Sequence, residues 1–336
     1  MRWGWRGGSA GFAYTEVTAY GLLLLLRFGR SDDRVDATAR HLLAVQHLSG
    51  AFLHRPGADE AYTFDTAICT SALAELALAD GDPLHREAAL RGGRWLLESQ
   101  RADGSFPSRY RPSAHAFDTR AGENTFWGDG AALHGKISLA FVNCEKLCPG
   151  EGFLAGARRV CRWVHEFQDS DGRIRMRPSS PRTFLHAHCY ASEGLLATAG
   201  ATSSNELGRA GRAAVDWLAT AQRRSGGLPA WRGTWRRPGM MVSDATAQAV
   251  RLWSVADGPT RHADSIRRAL RYLLAMQCHS GPETVRGAFR AASYGVRPVL
   301  LRPRVFPAWC TIFAVHALRM HSRRLAGDHL GPEELF

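Results

Sequence analysis

A chain of 336 residues with 45% hydrophobic and 22% charged side chains has the composition of a soluble globular protein, which excludes the disordered and fibrous classes. Its net charge of +12 rests almost wholly on arginine, Lys136 and Lys146 being the two lysines, and no recognised module turns that charge into a nucleic-acid partner. Leu22 to Leu26 is too short to span a bilayer, and with Glu16 ahead of it and no small-residue cleavage site behind, it does not make a secretory leader.

Helical apolar spacing predicts eleven helices. In chain order, residues 15–28 carry Glu16 in the first turn and Tyr20 one turn further on. Residues 32–47 start behind Ser31 and end at Gln46. Residues 63–79 begin with Phe64-Asp65-Thr66. Residues 84–100 follow Asp82-Pro83, a favourable helix start, and end at Gln100. Residues 124–147 hold Asn124, Trp127, Asp129 and His134; residues 151–168 end at Gln168. Residues 184–199 present His186, His188, Tyr190 and Glu193, and 205–222 start at Asn205-Glu206 and end at Gln222. Asp244 opens 240–256, Gln277 closes 261–277, and Trp309 and Cys310 open 307–322. Residues 1–322 read as one domain and the polar 323–336 as a loose tail.

Every second helix ends in glutamine, and a glycine follows four residues later: Gly50, Gly104, Gly172, Gly226 and Gly281. An apolar residue stands two places on in the first four copies (Phe52, Phe106, Ile174, Leu228), and the fifth delays it to Phe289. His41, Trp95, Trp163, Trp217 or Tyr272 stands five residues before each glutamine. Such a period marks repeats that bury their apolar faces only against neighbours. The predicted fold class is all-α, an (α/α)6 toroid in which the more apolar helices line the inside and the arginine-rich ones form an outer layer. Six inner helices face five outer ones, so the missing outer partner would precede Met1, or the ring closes imperfectly.

The tryptophan–glutamine–glycine–aromatic repeat resembles that of the α/α toroid superfamily, which includes terpenoid cyclases, prenyltransferase β-subunits and six-hairpin carbohydrate enzymes. The segments Tyr14-Thr15-Glu16-Val17-Thr18-Ala19-Tyr20, Phe64-Asp65-Thr66 and His188-Cys189-Tyr190 are similar to bacterial toroid proteins of polysaccharide-biosynthesis gene clusters. That resemblance implies a carbohydrate context.

The glutamine–glycine loops all lead into inner helices, so they open on one end of the ring, where helix N-termini favour anions. These loops are rich in arginine, including Arg109, Arg173, Arg175, Arg177 and Arg236, and contain Trp231 and Trp235. Carboxylates and histidines gathered in one dry funnel are how acid and base pKa values are pushed apart. Glu16, Asp65, His186, His188 and Asp244 are therefore the candidate catalytic residues. Tyr20, Trp127, His134, Tyr190, Glu193, Trp231, Trp235, Arg236 and Trp309 are the candidate substrate-binding residues. The plainer reading of the aspartates is helix capping, and of the histidines a hydrogen-bonded core role.

Asp32-Asp33-Arg34-Val35-Asp36 fits a diphosphate-binding pattern but lies in the first turn of an outer helix, where acidic residues are at home anyway. Cys278-His279 with Cys310 is similar to a lanthionine-cyclase zinc set in reversed order. Neither supports a metal or other cofactor. The odd count of seven cysteines reads as free thiols and a cytoplasmic setting. The leading functional expectation is a carbohydrate-active hydrolase, lyase or epimerase acting on an anionic poly- or oligosaccharide. The runner-up is a terpenoid cyclase or prenyl-diphosphate enzyme, suggested by Phe64-Asp65-Thr66-Ala67 and Val242-Ser243-Asp244-Ala245-Thr246-Ala247. The third is a non-catalytic glycan-binding toroid.

Overall fold

The computed structural model describes residues 13–118, 125–233, 239–256, 261–294 and 305–336. Among them are eleven α-helices: α1 (Thr15–Arg27), α2 (Asp33–Ala44), α3 (Thr63–Asp80), α4 (Pro83–Ser99), α5 (Ile137–Leu147), α6 (Phe153–His165), α7 (Leu185–Thr202), α8 (Asn205–Ala221), α9 (Ser243–Val255), α10 (Ala263–Met276) and α11 (Ala308–Leu325). Odd-numbered helices form the inner ring and even-numbered ones the outer layer. The boundaries follow the sequence pattern closely except at the third inner helix. There α5 starts only at Ile137, behind a 3-10 turn over Ala132–Lys136. Two expected caps move by one residue: Asp32 accepts from Arg34 N at 3.2 Å and Ser204 from Leu207 N at 3.4 Å.

Hydrogen bonds of the glutamine side chains account for the repeat. Each of the first four glutamine side chains donates both to the carbonyl of its own turn glycine and to a carbonyl of the next outer helix. Gln168 Nε2 reaches Gly172 O at 3.0 Å and Ala210 O at 2.9 Å; Gln222 Nε2 reaches Gly226 O and Ser265 O, both at 2.9 Å. One amide thus satisfies buried carbonyls in two repeats and locks their spacing. The glycines of these turns have φ between +90 and +100°, and a Cβ at Gly104, Gly172 or Gly226 would fall on a backbone carbonyl of the following outer helix. The fifth turn differs because Gln277 turns instead to Gly287 O at 3.2 Å, and a Cβ at Gly281 would meet only the flexible Val285 side chain.

This contrast gives a direct prediction. Gly226→Ala should destabilise the protein by about 2–4 kcal/mol, whereas Gly81→Ala should cost about 1 kcal/mol, read from urea midpoints. Gly81 also has positive φ, but open space surrounds its Cβ position, so the difference isolates the clash.

The turns also close the inner helices. The first N–H of α1, α3, α7 and α9 donates to a loop carbonyl: Thr15 to His54, Thr63 to Ser108, Leu185 to Ala230 and Ser243 to Ala291, at 2.9–3.1 Å. Short antiparallel pairs brace the same rim, such as Ala61–Tyr62 on Arg109–Arg111 and Thr183–Phe184 on Trp231–Arg232. The anion-attracting free amides expected at these N-termini are therefore partly used up by the protein itself.

Residues 323–336 are not loose. Leu330, Leu335 and Phe336 are buried, Phe336 stacks on His316 at 4.3 Å, and its main-chain oxygen accepts from Arg251 Nη2 at 2.6 Å. The polar composition that suggested a tail conceals three apolar anchors that close the end of the bore away from the mouth. The seven cysteines are unpaired. No described helix is long and apolar enough to cross a membrane.

Candidate active site

Five inner helices place their second residue at the same height in the bore, and at the third position the 3-10 turn ahead of α5 supplies Leu133 instead. Going round the ring these are Glu16, Phe64, Leu133, His186, Asp244 and Trp309, and all six line one pit of about 220 Å³. Tyr14, Tyr62 and Phe184, one position ahead of their helices, rise above them, and Ser108, Phe126 and Trp127 complete the wall. One turn down, Tyr20 and Tyr190 stack at 6.4 Å and Phe313 meets Tyr20 edge-on at 5.0 Å, sealing the floor. A further turn down lies a fully buried ion cluster in which Lys136 and Arg251 both pair with Glu193, the latter pair at 3.4 Å. The i, i+4, i+7 spacing of helix faces makes these three layers out of one repeated geometry.

Chemistry concentrates on two opposite walls, because α1 and α3 stand across the ring from α7 and α9. On one wall Asp65 is buried and accepts a hydrogen bond from Tyr14 Oη at 2.6 Å. Burial pushes its pKa from 3.8 up to about 7, against the pull of the tyrosine hydrogen bond. Glu16, beside it, is also raised well above the ordinary carboxyl value, first by burial and then by the Asp65 charge, with Lys136 opposing. On the other wall His186 Nδ1 lies 3.6 Å from Asp244 Oδ2, and Trp309 Nε1 donates to the same oxygen at 3.4 Å. Burial lowers the His186 pKa, and Asp244 partly offsets it. Near neutral pH the pit therefore holds a partly protonated carboxyl facing a neutral imidazole.

Of the residues selected from sequence, Glu16, Asp65, His186, Asp244, Trp127, His134, Tyr190 and Trp309 meet in this pit. Four do not. His188 is buried outside it, its Nδ1 accepting from Ile174 N at 3.1 Å and its Nε2 bonded to Ala214 O at 3.0 Å. Thr66, Thr246 and Thr311 do the same for Phe52, Leu228 and Phe289, so His188 occupies a repeat-bracing position. Tyr20 belongs to the floor and Glu193 to the ion cluster beneath it. Trp231 packs on Phe184 at the rim, 4.6 Å away. Trp235, Arg236 and Asn124 lie outside the described residues. Asp129 braces a loop, accepting from Ser108 N at 2.8 Å and Arg101 Nη2 at 2.6 Å.

Sequence reasoning missed Tyr14, Tyr62, Phe126 and Phe184. For Tyr14, Tyr62 and Phe184 the signal was present in the residue just ahead of an inner helix, which is aromatic in these three copies, whereas Phe126 had no such mark. No arginine or lysine lines the pit among the described residues. Several loop arginines are engaged internally: Arg109 with Glu60 and Asp118, Arg173 and Arg175 with Asp169, and Arg177 with Thr125 O.

Folded-state histidine burial has a stability consequence. His134 and His188 are pushed down to about 3 and about 4 by burial. The unfolded chain then binds the extra protons as pH drops below the ordinary histidine value of about 6.5. Stability should decline by about 1.4 kcal/mol per pH unit for each histidine between pH 6.5 and 4. Urea titrations at half-unit pH steps would measure it, and His188→Asn should remove one histidine's share of the slope.

The chain superimposes on cellobiose 2-epimerase from Bacillus thermoamylovorans B4167 with a TM-score of 0.74 at 11% identity, covering 92% of this chain and 87% of that one. The fold is the six-hairpin toroid. It also matches the unsaturated glucuronyl hydrolase of Bacillus sp. GL1, responsible for glycosaminoglycan degradation, with a TM-score of 0.66 at 13% identity over 94% and 88% of the two chains. A protein from Actinoplanes aligns with a TM-score of 0.60 at 19% identity over 92% and 90%. No family profile and no curated protein matches the sequence. At these identities the toroid is what is shared, and the chemistry has to be argued from the pit.

Proposed function

We propose that this protein is a carbohydrate-active acid–base enzyme, and that it epimerises or cleaves a sugar by proton transfer between two opposed walls. The observation that carries the reading is the pairing of a carboxyl whose pKa is about 7 (Asp65, held by Tyr14) with a neutral His186, which lies 3.6 Å from Asp244 on the other wall of the same pit. A base on one face and an acid on the other can remove a proton from carbon and return one to the opposite side, which is the requirement of an epimerase. The same pair can protonate a leaving oxygen while activating water, the requirement of a hydrolase. Two of the fold neighbours are a cellobiose 2-epimerase and an unsaturated glucuronyl hydrolase, which supports a sugar substrate. Trp127 and Trp309 offer flat apolar faces for a sugar ring.

Incubation with reducing oligosaccharides in D2O distinguishes the routes: deuterium at the carbon next to the carbonyl marks epimerisation, free monosaccharide marks hydrolysis, and an unsaturated product marks elimination. Failure to obtain any of the three across neutral, anionic and amino-sugar substrates would sink the proposal. A terpenoid-cyclase reading draws on the aromatic walls and the protonatable Asp65. Against it, about 220 Å³ is below the ~300–1,000 Å³ of pockets for drug-sized ligands and suits one ring better than a C20 chain. Turnover of geranylgeranyl diphosphate would reverse that preference. Glu16→Gln and Asp65→Asn variants with full cellular function would instead favour a glycan-binding toroid without catalysis.

A further inference from the structure

The arginine-rich loops led the sequence to predict an anionic substrate, but the described lining of the pit has the opposite electrostatic character. Its described lining holds Glu16, Asp65 and Asp244, with His186 kept neutral by burial and no arginine or lysine. The nearest lysine, Lys136, lies behind the Tyr190 ring, 4.8 Å from its centroid, and is paired with Glu193. Glu16 makes no hydrogen bond or ion pair with any described residue, although its carboxyl faces a space walled by Tyr62, Phe64, Trp127 and Trp309. Carboxylates set among aromatic faces attract a cation twice over, through charge and through the ring quadrupoles.

A second observation is independent of charge. His134 lines the same pit, is fully buried, and leaves both ring nitrogens without a partner. Burial holds it neutral, so it has one donor and one acceptor to offer. Buried polar atoms are rarely left unmet, so a ligand bearing hydroxyl groups is the natural complement.

Building on the saccharide reading, we propose that the pit selects a sugar ring carrying a free, protonated amino group. Its ammonium sits at the Glu16–Asp65 wall and its hydroxyls meet His134. An aminated ring satisfies both features at once, because an ammonium supplies the counter-charge that lets the buried Glu16 and Asp65 carboxyls ionise, whereas a uronate supplies none.

Calorimetric titration with three methyl glycosides of equal size tests this: the glucosaminide, the glucoside and the glucuronide. The expected order is glucosaminide at least tenfold tighter than glucoside, with glucuronide weakest. In the Glu16→Gln variant the cationic-to-neutral ratio should fall towards one. A glucuronide that binds as well as the glucoside, or a ratio unchanged by Glu16→Gln, overturns the proposal. Cyclohexylammonium and cyclohexanol separate the two layers of the argument. If no glycoside binds but cyclohexylammonium outcompetes cyclohexanol, the cation preference stands and the saccharide reading falls. If cyclohexylammonium gains nothing over cyclohexanol and the glucosaminide gains nothing over the glucoside, the cation preference falls.

Discussion

Replacing Asp65 with asparagine should lower turnover by ~10²–10⁴-fold and, in the same variant, raise stability at pH 7.5 by about 2–4 kcal/mol. The loss follows from removing a proton carrier at the centre of the pit. The gain follows from linkage. A carboxyl whose pKa is raised from 3.8 in the unfolded chain to about 7 in the fold keeps its proton when folded and loses it when unfolded across that window. Stability from this group therefore falls as pH rises from about 4 to 7, at up to ~1.4 kcal/mol per pH unit. Asparagine carries no charge to desolvate and can still accept from Tyr14, so it avoids the penalty. Activity assays with urea unfolding at pH 5.0 and 7.5 check both halves; the stability gain should shrink at the lower pH. Tyr14→Phe makes a companion test, since loss of its hydrogen bond should move the Asp65 limb of the pH–rate profile above 7.

Glu193→Ala should destabilise the fold by about 3–5 kcal/mol, the largest single-residue loss expected here, through a mechanism separate from catalysis. Glu193, Lys136 and Arg251 are at most 1% exposed. Burial already draws Lys136 down to about 8, with Glu193 the chief opposing influence. Without that carboxylate, two buried cations lose their shared partner in surroundings closed to bulk solvent. Lys136→Met combined with Glu193→Gln should recover most of the loss, because it removes one cation together with the anion. A double-mutant cycle on urea midpoints measures the coupling. A Glu193→Ala variant within 1 kcal/mol of the parent would mean that the cluster does not hold the ring together.

The toroid was legible because its repeat consists of backbone requirements that only certain residues meet. A glutamine amide must bridge two carbonyls, and a glycine must sit where a Cβ would strike the next helix. Both leave marks at fixed spacing. The candidate pit was legible in part for the same reason, since Glu16, His186, Asp244 and Trp309 share one position in their helices. His188 falls outside the pit because its imidazole nitrogen accepts a turn N–H as a threonine hydroxyl does. Aligning it with Thr66, Thr246 and Thr311 was the available warning. Counting loop arginines left open which of them are already held, as Arg109 is by Glu60 and Asp118.

What the sequence determined by itself was periodic: helix faces, turn glycines, the order of hairpins and the end of the ring on which polar residues gather. These follow from local sterics and from burial patterns with a fixed repeat. What only the tertiary structure decided was the state of each charge. Asp65 and His186 acquire their matched protonation because closing the ring removes water from both walls at once, and desolvation depends on neighbours contributed by distant parts of the chain.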